Sequence, residues 1–356
     1  MKVFFVFRAE RSKLWNDYLA KKSPSTFLYG LPELKKLGFT VEFRDLAWIK
    51  FNPLRFLLQP LEHLFQWLIN YPIGFQLHQA LILLPTLRKF DVLVTAQDSA
   101  GLPILFLKTI GLINSKIVYI SGSLVSAIDH VRNPLMLVIF RYMLGKADEI
   151  ICYSDRERRT LQEFCSRKVI SLPLGVDIDF YSPSRHSKKP TIDVFAAGRD
   201  SYRDYATLFK AVADMPWKTV VACSPYNIKG LIPPPNVQIR FDITPLEMKE
   251  LYEQSQLIVV PMKPTERTQG QVVFMEAMSM GKRIVASKVA GLVTAPILKK
   301  YPNAEFVKPE NSLALKNAIK NSLAMVTSTF SDKKIRDSVS TFHSAKQLAL
   351  ILQNVV

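Results

Sequence analysis

Glu276 follows Gln271 by five residues in the stretch Gly270-Gln271-Val272-Val273-Phe274-Met275-Glu276-Ala277-Met278-Ser279-Met280-Gly281-Lys282. A glycine has no Cβ, so the backbone at Gly270 can approach a ligand closely. Val272, Val273, Met275 and Met280 predict a largely buried helix over Gln271–Met280, with Gly281 at its C′ position. The free N–H groups at such a helix N-terminus attract an anion, ideally a phosphate. A carboxylate one and a half turns further on reaches past that phosphate to hydroxyls, such as those of a ribose. Taken alone, the stretch is equally a plain loop–helix–strand unit with Glu276 solvated, and the segments around it must decide.

Those segments alternate strand and helix. Met1–Arg8 reads as a first strand, followed by a basic, polar loop over Arg8–Ser25, a helix over Thr26–Leu37 ended by Gly38, and a strand at Thr40–Phe43. Phe90–Thr95, Lys116–Ile120 and Ala147–Ser154 read as further strands. Ala100–Ile110, Pro134–Leu144 and Asp155–Phe164 read as helices, the last capped by Ser154. After a segment rich in Pro and Ser the alternation restarts. Strands are expected at Thr191–Ala197, Thr219–Cys223, Gln238–Phe241, Leu257–Pro261 and Ile284–Ser287, with helices at Tyr205–Ala213 and Pro245–Gln254. This order predicts an α/β protein of doubly wound parallel sheets. The expected domains are 1–172, a linker over 173–190, and 191–340, with a C-terminal helix over about 341–356 packing back on the first. Ligands in such folds bind in the cleft that two halves form.

Residues 51–87 stand apart. Apolar side chains crowd Phe51–Ile69, and no Asp, Glu, Lys or Arg occurs from His63 to Leu87. Three readings stand: core helices broken near Pro72, an interfacial membrane-binding surface, or a membrane span. Pro72, Gly74, Pro85 and Asn70 oppose the span. The whole chain of 356 residues, 48% hydrophobic and 22% charged, is globular in composition and long enough for two domains. Its net charge of +17 favours anionic partners. That charge is spread, about +7 over residues 1–180 and about +10 beyond. Cys152, Cys165 and Cys223 show no C-x-x-C spacing, which fits structural thiols in a reduced compartment. Met1–Arg8 is too short for a signal sequence, so a cytoplasmic protein is expected.

Read in order, Gly175-Val176-Asp177 with Phe180 and Pro183, then Gly198-Arg199, Leu251-Tyr252, and Glu276-Ala277-Met278 with Gly281 resemble the retaining GT-B glycosyltransferases that use nucleotide-sugar donors (glycosyl transferases group 1). The resemblance is strongest over about 145–320. It implies a GT-B fold: two Rossmann-like domains with parallel sheets facing a central cleft, the donor held mainly by the second.

By that resemblance Glu276 matches the second glutamate of a Glu-x7-Glu motif and binds ribose hydroxyls. Thr268 stands where the first glutamate falls, and Glu266, two residues earlier, is the candidate to replace it. Gly270, Gln271 and Val272 lie by the sugar and diphosphate. Gly198 and Arg199 match the family's Gly-Arg pair, whose arginine contacts the diphosphate. The family's partner lysine is unmatched, and Arg203 lies one residue short of it. An arginine stays charged and grips phosphate with two N–H groups; the alternative is that both arginines are surface charges. The loop Ser121-Gly122-Ser123 lacks the histidine that members often carry there. Gly122 and Ser123 are acceptor-side candidates. His130, further along, is either a catalytic histidine reaching the cleft or a helix-surface histidine without a role. Arg8-Ala9-Glu10-Arg11 replaces the glycines usual after the first strand. Asp177-x-Asp179 looks like a metal motif of another glycosyltransferase fold, but its place after Gly175-Val176 fits the GT-B connection, and no metal is expected. Ser154 lacks the surroundings of a serine nucleophile.

The expected activity is metal-independent, retaining transfer of a sugar from a nucleotide-diphosphate sugar, with no cofactor. The basic balance and residues 51–87 suggest a lipid or lipid-linked glycan acceptor and peripheral attachment to an anionic inner membrane face, in the biosynthesis of envelope glycans. The alternatives are a non-catalytic partner subunit that kept the fold, for which Thr268 is the best argument, and a sugar-nucleotide epimerase. The charge allows a nucleic-acid partner, but no binding module supports one.

Overall fold

The computed structural model describes residues 1–8, 10–46, 52–71, 73–131, 133–184, 189–265, 268–293, 296–325 and 333–356. The chain divides into two compact units. One comprises Met1–Leu19, Phe27–Pro173 and Ser344–Val356; the other comprises Ala20–Thr26 and Leu174–His343.

The first unit runs β1 (Lys2–Phe7), α1 (Arg11–Leu19), α2 (Leu31–Lys36), β2 (Thr40–Asp45), α3 (Leu54–Ile69), α4 (Leu77–Leu87), β3 (Val92–Ala96), α5 (Asp98–Thr109), β4 (Lys116–Ile120), α6 (Leu124–His130), α7 (Pro134–Leu144), β5 (Glu149–Cys152), α8 (Asp155–Phe164) and β6 (Val169–Ser171). Its six strands form one sheet in the order β2-β1-β3-β4-β5-β6, every pair parallel. Val3–Phe7 and Val92–Ala96 are buried throughout, as parallel strands covered on both faces must be. Ser154 caps α8 by accepting from the Glu157 N–H at 3.2 Å.

The second unit runs β7 (Ile192–Ala197), α9 (Tyr205–Val212), β8 (Thr219–Ala222), β9 (Val237–Arg240), α10 (Pro245–Gln254), β10 (Ser255–Val260), α11 (Gln271–Ser279), β11 (Arg283–Ser287), α12 (Ala290–Val293), α13 (Pro296–Lys299), β12 (Ala304–Val307), α14 (Ser312–Ala324) and α15 (Lys333–Ser338), and α16 (Thr341–Val355) ends the chain. Its sheet is again parallel, in the order β12-β11-β10-β7-β8-β9. Strand order reverses between β7 and β10, the switch point outside which ligands bind in open α/β sheets.

Two sequence expectations need correction, and part of the expected linker has contacts of its own. The loop expected over Arg8–Ser25 contains α1, whose first N–H groups, on Arg11 and Ser12, are held by the Asp45 carboxylate at 2.9 and 2.8 Å. The cap is thus supplied from the end of β2 and leaves no local signature. The helix expected over Thr26–Leu37 is a 3-10 turn at Thr26–Leu28 followed by α2, because Gly30 takes φ +84° between them. The expected linker 173–190 is tied into the second unit as far as Tyr181. Val176 pairs with Ser340, and a Cβ on Gly175 would lie 2.4 Å from the Ser340 carbonyl oxygen. Asp177 accepts from the N–H groups of Ser25, Asp179 and Phe180. Its carboxylate therefore serves the turn, and among the described residues no cluster of three His, Cys, Asp or Glu could hold a metal. Arg185, His186 and Lys188 of the linker, Ala9, and Phe51 and Pro72 of the apolar stretch lie outside the described residues.

In the apolar stretch Leu54–Ile69 and Leu77–Leu87 form α3 and α4, and Asn70 in the left-handed region and Gly74 at φ +72° lie between them. Among the described residues no helix is long and apolar enough to cross a membrane. Cys152, Cys165 and Cys223 are buried and unbridged.

Candidate functional site

The second unit gathers most of the sequence-derived candidates at its switch point. β7 ends at Ala197, and Gly198 follows at φ +146°. A Cβ there would sit 2.0 Å from Arg203 Nε, so only glycine lets the Arg203 guanidinium lie across the backbone. The loop after Gly198 is laced to the end of β10: Asp204 N–H donates to the Pro261 carbonyl at 3.0 Å, Lys263 N–H to the Tyr202 carbonyl at 2.8 Å, and Arg203 bridges Met262. Arg203 is not a surface charge. Its side chain is 3% exposed, and its Nε donates to Asp200 at 2.7 Å. Its Nη1 is buried with no hydrogen-bond partner. A buried, charged donor left unsatisfied is costly and marks a place for an anion. Arg199, the other arginine, is exposed and makes no ion pair among the described residues.

Glu276 is buried, not solvated. Its carboxylate accepts from the Tyr252 hydroxyl at 2.9 Å and from that of Tyr181, and the two tyrosine rings meet edge to face. Burial raises its pKa to about 7. The two hydroxyls and the charge of Arg203 pull the other way, which places Arg203 within electrostatic reach of the carboxyl.

Glu276 lies on α11, which starts after the loop that follows β10. Gly270 is its N-cap at φ +84°, packed so that a Cβ would press on Val260, Met262 and Leu292. The Gln271 amide donates to the Gly291 carbonyl at 2.6 Å, which pins the first turn to α12, and Val272 is half-buried. Eight of the nine residues of α11 are buried, so its N-terminal N–H groups are held rigidly at the sheet end. Its C-terminus is a Schellman motif, with Lys282 N–H on the Ala277 carbonyl and Gly281 N–H on that of Met278, both at 2.9 Å. Thr268 is half-buried in the preceding loop, beside Gln269, whose Oε1 is buried without a partner. Glu266 lies outside the described residues.

The acceptor-side candidates lie in the first unit. The N–H groups of Gly122 and Ser123 do not point to open space: both donate to Asp98, as do the Ser123 hydroxyl and, at 2.7 Å, the Tyr119 hydroxyl. Asp98 is buried, and that burial raises its pKa despite these bonds. It opens α5 directly after Gln97, a non-glycine residue at φ +86°. His130 lies at the far end of α6 from Ser123, roughly 10 Å along the helix at 1.5 Å per residue. Its Nδ1 is 2.7 Å from the Ser126 carbonyl and its ring lies against Tyr71, so it is not brought to the Gly122-Ser123 loop.

Sequence reasoning missed Asp98, and it missed Tyr181 as a partner of Glu276. An acidic residue between an apolar strand and an apolar helix was the available signal for Asp98. Tyr181 sits in a segment whose prolines and serines mask its role.

Residues 208–325 match the family described as Glycosyl transferases group 1. No curated protein matches the chain. Among solved structures, sucrose-phosphate synthase from Thermosynechococcus elongatus is similar over 100% of this chain and 99% of its own, with a TM-score of 0.71 and 16% identity. The Anabaena protein HepE, in complex with UDP and glucose, is similar over 99% of this chain and 100% of its own, with a TM-score of 0.67 and 15% identity. The lipopolysaccharide outer core galactosyltransferase WaaB is similar over 99% and 100%, with a TM-score of 0.58 and 14% identity. The chain has the GT-B fold, and its residues 208–325 carry the sequence pattern of the glycosyl transferases group 1.

Proposed function

We propose that the protein is a retaining, metal-independent glycosyltransferase that moves a sugar from a nucleotide-diphosphate sugar to an acceptor glycan or lipid. The observation that carries this reading is the pairing, at one sheet end, of a buried carboxylate and a buried arginine whose Nη1 has no partner. Glu276 receives the ribose hydroxyls. Arg203, aided by Arg199 and the N–H groups that open α11, receives the diphosphate. Negative charge grows on the diphosphate as the anomeric C–O bond breaks, and these fixed donors stabilise it. The acceptor oxygen bonds to the anomeric carbon on the face the leaving group vacates, and its proton passes to the departing phosphate oxygen. The HepE structure with UDP and glucose supports a nucleotide-sugar donor. The basic balance and the exposed apolar side chains of α3 support a protein that works on the inner membrane face from the cytoplasm, with an anionic lipid surface as partner. WaaB supports envelope glycans as the product class.

Thermal unfolding against UDP, GDP and ADP and their glucose or mannose conjugates tests the reading. A ligand at a hundred times its Kd stabilises by about 2.7 kcal/mol. The expected result is a shift with one nucleotide series, lost in Glu276→Ala and Arg203→Ala. Thr268 favours one other reading, a GT-B-fold partner subunit without activity. That reading is supported if no nucleotide shifts the transition, and it overturns the first.

A further inference from the structure

The first unit holds a pocket that none of the roles above uses. It has a volume of about 500 Å³ and lies between α3 and the start of α4, in the size range of small-molecule sites. At 3.6 residues per turn α3 presents three arcs. Leu58, Phe65 and Ile69 face the core. Arg55, Gln59, Glu62, His63 and Gln66 form a polar arc that lines the pocket. Phe56, Leu57, Leu61, Leu64 and Trp67 form a third arc facing solvent, with Phe56 71%, Leu57 76% and Trp67 74% exposed. The polar and exposed apolar arcs meet at His63 and Phe56.

The opposite wall is set by α4. The Glu62 carboxylate is bound by both the N–H and the Nδ1 of His78, at 2.9 and 2.8 Å. Gln79, 9% exposed, and Gln76 each line the pocket and carry a buried side-chain oxygen without a donor. Arg55 and Glu62 cancel in formal charge. The side chains of Arg55, Gln59, Gln66, Gln76 and Gln79 that line it suit a neutral group that both donates and accepts, and hydroxyls do both.

We propose that this pocket binds the neutral, hydroxyl-bearing sugar head of an amphiphilic acceptor, whose hydrocarbon lies along the exposed apolar arc of α3. The proposal deepens the transferase reading and rests on it for the word acceptor.

The test uses the full chain and octyl β-D-glucoside below its micellar concentration, followed by tryptophan emission, with a Trp67→Phe control. Octyltrimethylammonium and octyl sulfate supply the same chain on charged heads, and methyl β-D-glucoside the head alone. The expected result is saturable binding of the octyl glucoside with a blue shift from Trp67, competed by methyl glucoside. Affinity should fall at least tenfold in Gln79→Leu and severalfold in Gln59→Ala, a half-buried position outside the core where folding is safe. Equal binding of either charged octyl probe, or undiminished binding in both variants, overturns the proposal. Stabilisation by the UDP, GDP and ADP series and their sugar conjugates, scored on the same samples, reports on the donor site alone. Its loss sinks the transferase reading without touching the pocket, and its persistence in Gln59→Ala shows that the two sites fail separately.

Discussion

Burial holds the Glu276 carboxyl at about 7, against an ordinary value of 4.5. The folded chain therefore binds more protons than the unfolded chain between these values. The stability that this proton supplies is fully present below pH 4.5 and is lost as pH rises through 7. A difference of this size is worth about 3 kcal/mol. Urea unfolding of the native chain and of Glu276→Gln across pH 4.5 to 8 should diverge by about that amount, the amide variant gaining relative stability as pH rises. A constant gap would show that the carboxyl is not desolvated. The same carboxyl should make donor binding depend on pH. If ribose hydroxyls bind the ionised form, affinity for a nucleotide sugar falls about tenfold per pH unit below 7 and levels off above it. Gly198 acts at the same scale. A Cβ would occupy the place of Arg203 Nε, and φ +146° strains any other residue. Gly198→Ala should thus cost about 1–3 kcal/mol of stability. Isothermal titration should also show at least tenfold weaker nucleotide binding, with Arg203→Lys losing a comparable amount while keeping its stability.

At the scale of the element, α3 presents an apolar face to water: Phe56, Leu57 and Trp67 are exposed while Phe65 on another arc packs on the core. A helix with that face and a basic parent molecule should bind anionic vesicles. Replacing Phe56, Leu57 and Trp67 together by serine should abolish co-sedimentation with vesicles rich in phosphatidylglycerol and leave the melting temperature unchanged or raised. A fall in stability would mean that these side chains pack where they are exposed in the structure. The existence of α3, and of the break after it, was legible because an apolar run interrupted by Asn70, Pro72 and Gly74 has few alternatives. The same holds for α11, whose stop at Gly281 and start at Gly270 are local, and for strands such as Phe90–Thr95 whose apolar runs suit a parallel sheet. What stayed hidden depends on distant partners. The N–H groups of α1 are capped from Asp45, so no local cap announces it, and its short apolar face of Leu14, Trp15 and Tyr18 is only half-buried against the core. Glu62 meets His78, Asp98 meets the Gly122-Ser123 backbone, and Tyr181 meets Glu276, each across a gap in the chain that composition does not encode.

At the scale of the molecule, the path of the chain decides what can be removed from it. The second unit ends at His343: Val176 N–H donates to the Val339 carbonyl at 2.8 Å, and Thr341 N–H to the Val176 carbonyl at 2.9 Å. The residues beyond belong to the first unit, where Leu348, Ala349 and Leu352 pack with Val3, Phe5 and Leu31 on its sheet. A chain stopped after His343 keeps every residue of the donor site and loses two fully buried leucines from the other core. Each such loss costs about 2–5 kcal/mol, since the space left behind collapses only in part. The first unit should therefore lose about 4 kcal/mol or more, seen as faster hydrogen exchange in β1 and β3, while the nucleotide-induced stabilisation of the second unit persists. Restoring the helix with Leu348→Ala and Leu352→Ala together should reproduce most of the loss, because those two side chains carry the packing. Loss of nucleotide binding in the truncated chain, with β7 and β10 still protected from exchange, would show that the donor site depends on more than the unit that contains Glu276 and Arg203.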